Sequence, residues 1–313
     1  MAADDTSVLP VSAGRLRRHY WLATLGQAAR TGKGAVGLGL AGSIVLLAAV
    51  GPFIAPYSAT QFVGVPFAPP SAHFWLGTDV LGRDVLSRVL DGGWVLLIMA
   101  ACATAFGVLV GAALGVSAAY LRGRPDSLIM RAVDVFLAFP QLVFALLLVS
   151  IAGPRLWLIV VAVGLSHAPQ VARVLRSATL GVSEREYVKA VEMQGVRPVS
   201  VMTKEITPNL VAPLMVETGL RLTYSIVIIA GLAFLGFGQP PPAPSWGLMI
   251  NENRIGLASN PWAVIVPVIL IALLTIGTNT FTDAVASVAI GVDRKPEEAA
   301  LIDDLAPHAV DVP

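Results

Sequence analysis

Long uncharged runs alternate along this chain with short stretches that concentrate its charge. The runs cover residues 34–53, 92–121, 135–154, 156–172, 222–251 and 255–282. A hydrocarbon core about 30 Å thick takes about 20 helical residues to cross, so the pattern predicts six transmembrane helices and an all-α membrane protein. The fourth run, which holds His167 and Pro169, is the weakest of the six; the fifth is expected to begin near Leu210, with Glu217 and Arg221 in its first turns. Between the runs, residues 1–33 form a basic arm followed by the first span at 34–53, and residues 54–91 form a proline-rich loop with a short helix lying on the membrane surface. Residues 92–292 make a five-helix core, and 293–313 a polar, disordered tail. A 33-residue leader ahead of a 20-residue apolar run fits an uncleaved anchor better than a cleaved signal peptide.

The longest charged interruption, residues 183–209, reads as two short helices. Ser183 and Glu186 have the spacing of a capping box, which starts a helix near Glu184. Tyr187, Ala190, Val191 and Gln194 then fall at i, i+3, i+4 and i+7 and form one largely apolar stripe. Such a stripe calls for a partner surface. Gly195 can take the left-handed conformation that closes a helix, and Pro198 suits the first turn of the next. Thr207-Pro208 repeats that start signal before the fifth run.

This stretch resembles the cytoplasmic coupling loop of ABC importer permeases, patterned Glu-Ala-Ala, three residues, Gly, nine residues, Ile-x-Leu-Pro. Lys189-Ala190-Val191, Gly195 and Glu205-Ile206-Thr207-Pro208 occupy those places; Ala190, Gly195 and Pro208 match, whereas Lys189, Val191, Glu205 and Thr207 depart from it. Glu186-Tyr187-Val188, Pro208-Asn209, Leu76-Gly77-Thr78-Asp79 and Leu81-Gly82-Arg83-Asp84 resemble the dipeptide/oligopeptide branch, and the likeness covers roughly residues 34–292. The resemblance implies a type I importer permease fold with a cytoplasmic coupling helix. It further implies a second, homologous permease to complete a heterodimeric pore, two ABC ATPase subunits that bind ATP and Mg²⁺, and an external binding protein that delivers peptide. Glu186, Tyr187, Ala190, Val191, Gln194, Gly195 and Pro208 would form the ATPase contact. Near relatives in this branch carry nickel chelates or other small solutes.

Composition supports the membrane assignment: 56% of residues are hydrophobic and 13% charged, at a net charge of +1. That balance gives no reason to expect nucleic acid. With the N-terminus inside, 17 of the 21 basic residues fall on the inner side, and only Arg83, Arg88, Arg155 and Arg254 on the other. The positive-inside rule therefore sets both termini in the cytoplasm, and the resemblance implies the inner membrane of a bacterial cell. Trp75, Trp94, Trp157, Trp246 and Trp262 lie at or beyond the outer ends of spans, where indoles favour the interface. Residues 240–247, with four prolines, read as a stiff outer loop.

Gly107, Gly111 and Gly115 recur every four residues in the second span and give one smooth face. It serves helix packing inside the subunit or contact with a second permease. Asp134 is expected to pair with Arg131, and Glu217 with Arg221, at helical spacing. Asp283 is placed to reach the inner interface from the last span, and Cys102 is expected to pack in its helix. His167 has no metal-ligand companion at useful spacing and reads as a packing or pore-facing residue. HExxH and GxSxG are absent, and Gly32-Lys33-Gly34 lacks the rest of a phosphate-binding loop. The chain itself is thus expected to hold no cofactor and to catalyse no reaction. The rival is an ion-coupled secondary transporter, which would carry midspan ionisable groups and internal repeats. Carboxylates fall only near the inner ends of the spans and no repeat is evident. A membrane-embedded enzyme lacks a nucleophile and base at one depth.

Overall fold

The computed structural model describes residues 13–291. The expectations for residues 1–12 and for the tail lie outside the described residues. The basic arm is helical from its thirteenth residue: α1 (Ala13–Arg30) is followed at once by α2 (Gly32–Ile54), whose start is capped by Thr31 accepting from the Gly34 amide at 3.0 Å. A short α3 (Val85–Asp91) leads into α4 (Trp94–Leu121). Then follow α5 (Gly123–Leu137), α6 (Gln141–Ala152), α7 (Leu156–Ser183), α8 (Glu186–Met193) and α9 (Pro198–Ser200). A π-type stretch (Val201–Ile206) and a 3₁₀ turn (Thr207–Leu210) carry α9 into α10 (Val211–Phe234), and α11 (Trp246–Asn253) and α12 (Trp262–Ile290) complete the path. Among the described residues, extended pairing is limited to two isolated bridges.

Five helical stretches are long and apolar enough to cross a membrane, and a sixth candidate is the bent pair α5–α6. That pair corrects the expected straight third span. The helix breaks at residues 138–140, because Pro140 has no amide to donate and pushes Phe139 out of helical geometry, and the two arms meet at 86°. Arg122, just before α5, reaches Ser183 at the last residue of α7 (3.4 Å), whereas α6 ends next to the first residue of α7.

The weakest predicted span is one of the longest helices. α7 runs 28 residues, straight through Arg173 and Arg176, because each arginine meets a carboxylate of α5: Arg173 with Asp134 at 2.5 Å, Arg176 with Asp126 at 2.6 Å through both oxygens. The expected Asp134–Arg131 pair is therefore replaced by Asp134–Arg173. The fifth span starts at Val211, close to its expected place, but ends at Phe234, where Gly236 (φ 88°) turns the chain out of the helix. The sixth starts later, at Trp262, and ends on left-handed Gly291.

Other expectations change with burial. Trp246 is not an interface residue: it is fully buried and its indole donates to the Val89 carbonyl at 2.8 Å. Trp75, Trp94, Trp157 and Trp262 are exposed. The short helix α3 is buried in the subunit rather than lying on the membrane surface, and Cys102 faces outward from α4. The glycine ladder packs inside the subunit. A Cβ on Gly107, Gly111 or Gly115 would sit 2.6, 2.6 or 2.4 Å from the carbonyl oxygens of Gly164, Ala168 and Ala172, so α4 and α7 touch backbone to backbone over about two turns.

Candidate functional site

The stretch after α7 is built around one buried valine. Val188 of α8 is completely buried in a cluster with Leu175 of α7 and with Val201, Ile206 and Leu210, which lead into α10. Val191 and Tyr120 pack against the same cluster. Tyr187 (39% exposed), Ala190 and Gln194 face away from it, and Glu186 is exposed at the helix start. The helix is amphipathic, as its sequence suggests, but the residue that docks it, Val188, lies outside the predicted stripe; of that stripe only Val191 packs against the cluster, and Tyr187, Ala190 and Gln194 remain uncovered. Pro208 is half-buried in the 3₁₀ turn below α10.

The capping box does not form. Ser183 belongs to α7, where its hydroxyl donates to the Leu180 carbonyl at 3.0 Å, and α8 begins at Glu186 behind Arg185 with no side-chain cap. Burial of Val182 in the same apolar cluster as Val188 rewards one more turn of α7 over a new start at Ser183. Gly195 is left-handed at φ +73°, with its amide bonded to the Glu192 carbonyl at 2.9 Å, and Pro198 occupies the first position of α9.

Halfway along the spans lies a polar layer that the sequence pattern did not reveal. The Ser225 hydroxyl on α10 lies 3.0 Å from Thr104 Oγ1 on α4 and 3.0 Å from His167 Nε2 on α7, all three buried. Gln141, the first residue of α6, donates to the Ser166 carbonyl at 3.3 Å. With the Gln170 amide oriented to suit its neighbours, its Oε1 accepts from Gln141 at 2.8 Å and its Nε2 donates to Ser166 O at 2.9 Å. These groups separate two apolar cores: one containing Ala103, Val163 and Ile226, the other Val108, Val171 and Val188. Pro169 and the α5–α6 break fall beside it. His167 is thus a packing residue in this chain. Glu217 and Arg221 form the expected pair at 3.2 Å, one turn below on α10.

A second site emerges at the opposite end of the bundle, where the two Leu-Gly motifs become a buried ion cluster. Asp79 accepts from Arg83 Nε at 2.7 Å and from the amides of Leu81 and Arg83 at 2.9 and 2.8 Å, and it also meets Arg88 Nη1. Glu252 on α11 accepts from Arg83 at 3.0 Å and Arg88 at 2.9 Å. Asn260 donates to the carbonyls of Leu76 and Thr78, each at 2.9 Å. The loop of residues 54–91 is thereby clasped to the α11 region. Among the described residues, no group of three His, Cys, Asp or Glu side chains is placed to hold a metal ion.

The described residues thus form a bundle of helices long and apolar enough to cross a membrane, with a short amphipathic helix docked at one end and one face of it open. Comparison with known proteins gives the family. The model for the binding-protein-dependent transport system inner membrane component matches residues 107–288, and the chain belongs to that family. It is similar to the glutathione transport system permease protein GsiD of Pectobacterium atrosepticum, at 35% identity over 74% of this chain and 77% of that protein. It is also similar to the di/tripeptide transport system permease protein DppC of Pseudomonas aeruginosa, at 34% identity over 82% and 86%. A structure of the MetNI methionine ABC transporter aligns at TM-score 0.48 and 19% identity, over 63% of this chain and 95% of that one. Family membership displaces the ion-coupled alternative: the chain is a multi-pass membrane permease subunit of an ABC importer, and ATP hydrolysis belongs to separate subunits.

Proposed function

We propose that this subunit forms half of the pore of an ATP-driven importer of short peptides, and that α8 is its ATPase contact. The observation that carries this reading is the divided helix: Val188, fully buried, ties α8 to the bases of α7 and α10, while Tyr187, Ala190 and Gln194 stay open. A helix held in this way moves with the spans behind it, so rotation imposed on its open face passes into them as rigid-body motion. A peptide substrate is favoured by the named transport of di/tripeptides and glutathione in two relatives. The remaining pieces of this reading are a second, related permease, two ATPase subunits holding ATP and Mg²⁺, and an external binding protein.

Charge placement supports α8 and both termini on the cytoplasmic side of a bacterial inner membrane. Of the four basic residues assigned to the other side, Arg83 and Arg88 are buried in ion pairs, leaving only Arg155 and Arg254 exposed there.

Tyr187→Asp charges the open face without touching the backbone. Gly195→Val strains the left-handed closure by about 1–2 kcal/mol, and a Cβ there meets no neighbour within 4 Å, so any effect comes from the backbone. Both variants are expected to insert normally, to retain less ATPase on the tagged permease, and to lose ATP-dependent peptide uptake in vesicles. Full retention and uptake in both would remove α8 from the coupling path.

A further inference from the structure

The turn from α4 into α5 places two successive residues at positive φ, Arg122 at 51° and Gly123 at 62°. Glycine takes such a conformation freely. Arginine does not, and with ψ at 175° Arg122 stands at the edge of a region that is essentially glycine's alone. A backbone so placed persists only where its surroundings hold it. Here the side chain reaches across the subunit: Nη2 of Arg122 donates to Ser183 Oγ at 3.4 Å and lies 3.9 Å from Glu184 Oε1. Ser183 ends α7, and Glu184 begins the two-residue link into α8.

The end of α4 also meets the far end of α8. Tyr120 packs against the cluster that buries Val188, and its hydroxyl lies beside the carboxylate of Glu192 in the last turn of α8. Val108 and Val116 bring α4 into the same cluster. α8 is therefore bracketed: Arg122 touches the link that enters it, Tyr120 the turn that leaves it, and Val188 is buried between them. Behind the bracket, Gly107, Gly111 and Gly115 press α4 directly on the backbone of α7, with no layer of side chains in which the two could slide, so they form one block.

We infer that Tyr120 and Arg122 are positioning residues for coupling: they fix the tilt of α8 against the end of α4, so that motion imposed on its open face enters the α4–α7 block as rigid-body movement. This rests on the role proposed for α8 and adds the residues that make its attachment stiff. Val188 and Val191 lie within one turn of each other, and an eight-residue helix can rock about them; contacts at both ends remove that freedom. The Arg122–Glu184 pair is exposed on both sides, and such pairs add little to stability. Folding energy therefore gives no reason for an arginine at a turn whose backbone opposes it, whereas a fixed α8 does.

The test compares Tyr120→Phe/Arg122→Gly with the otherwise unchanged full chain, both carrying Cys102→Ala. Phenylalanine keeps the ring in the cluster and glycine suits the turn, so the thermal unfolding midpoint should hold or rise. A spin label on Lys189→Cys, exposed on α8, should become more mobile in the double variant of the subunit alone. In the assembled transporter the double variant should retain its ATPase subunits and hydrolyse ATP, yet take up severalfold less labelled dialanine or glutathione, whichever the wild type carries, per ATP. Arg122→Lys, which keeps charge and reach, should preserve most of that uptake. Unchanged label mobility would overturn the bracket, and unchanged uptake per ATP beside a mobile label would overturn its part in coupling. Loss of ATPase subunits as large as that expected of Tyr187→Asp would overturn it too, by making Tyr120 and Arg122 part of the ATPase contact. Failure of the α8 reading itself looks different: Tyr187→Asp then keeps full retention and uptake, which overturns the coupling role, and the label still decides whether Tyr120 and Arg122 hold the helix.

Discussion

Arg88 shows how far a single side chain here depends on distant sequence. It is fully buried; its Nη1 serves Asp79 and Glu252, while Nε and Nη2 find no partner. Removing one carboxylate from such a cluster leaves charge stranded away from water, and breaking a buried pair costs about 3–5 kcal/mol. Asp79→Asn is therefore expected to lower the thermal unfolding midpoint of the purified subunit clearly. Arg155→Gln, at an exposed position, should change stability by no more than about 0.5 kcal/mol. Equal midpoints for Asp79→Asn and wild type would mean that the guanidinium groups find other acceptors. The motif residues could be picked out from the sequence only as a family signature, because Glu252 lies 164 positions beyond Arg88 and nothing local marks it as a partner. Asp134 repeats the lesson at shorter range: Arg131 was the helical neighbour, yet Arg173 across the helix interface won.

At the scale of elements, apolar run length located five crossings but missed where charge can continue a helix and where apolar sequence must break. α7 outran its hydropathy because α5 neutralises its arginines, whereas residues 135–154 were free of charge throughout and still bent at Pro140. Helical periodicity found α8, but which side it buries depends on Ile206 and Leu210 at the foot of α10. The glycine ladder offers the sharpest check on packing. Gly111→Leu drives a side chain against the Ala168 carbonyl and Val171, and overpacking costs about 1–3 kcal/mol or more. It should reduce the yield of folded subunit even when expressed without partners, as read by monodisperse protein in size-exclusion chromatography. Gly42→Leu, whose Cβ would meet nothing within 4 Å, should be tolerated. Equal yields would show that α4 and α7 can separate without harm.

Among the described residues the apolar packing falls into three clusters; the Thr104–His167–Ser225 layer lies between the two larger ones, with α8 fastened to one of these and the ion clasp to the other, and the third joins α1, α10 and α12. Orientation is testable on that scale. In a Cys102→Ala background, Ser71→Cys in the clasped loop should react with an impermeant thiol reagent added outside intact cells, and Glu192→Cys on α8 should not. The reverse pattern would invert the subunit and detach α8 from any cytoplasmic ATPase. The clasp also has a bearing on how the protein is made. Arg88 leaves the ribosome 164 residues before Glu252, which at about 5–20 residues per second is a wait of about 10–30 s. During that interval two arginines share Asp79 alone, and the segment that will seal them has yet to be threaded through the membrane. A chain truncated before Glu252 keeps Asp79 as the one carboxylate of this cluster for both arginines, and is expected to be degraded faster than the full chain in a pulse-chase measurement.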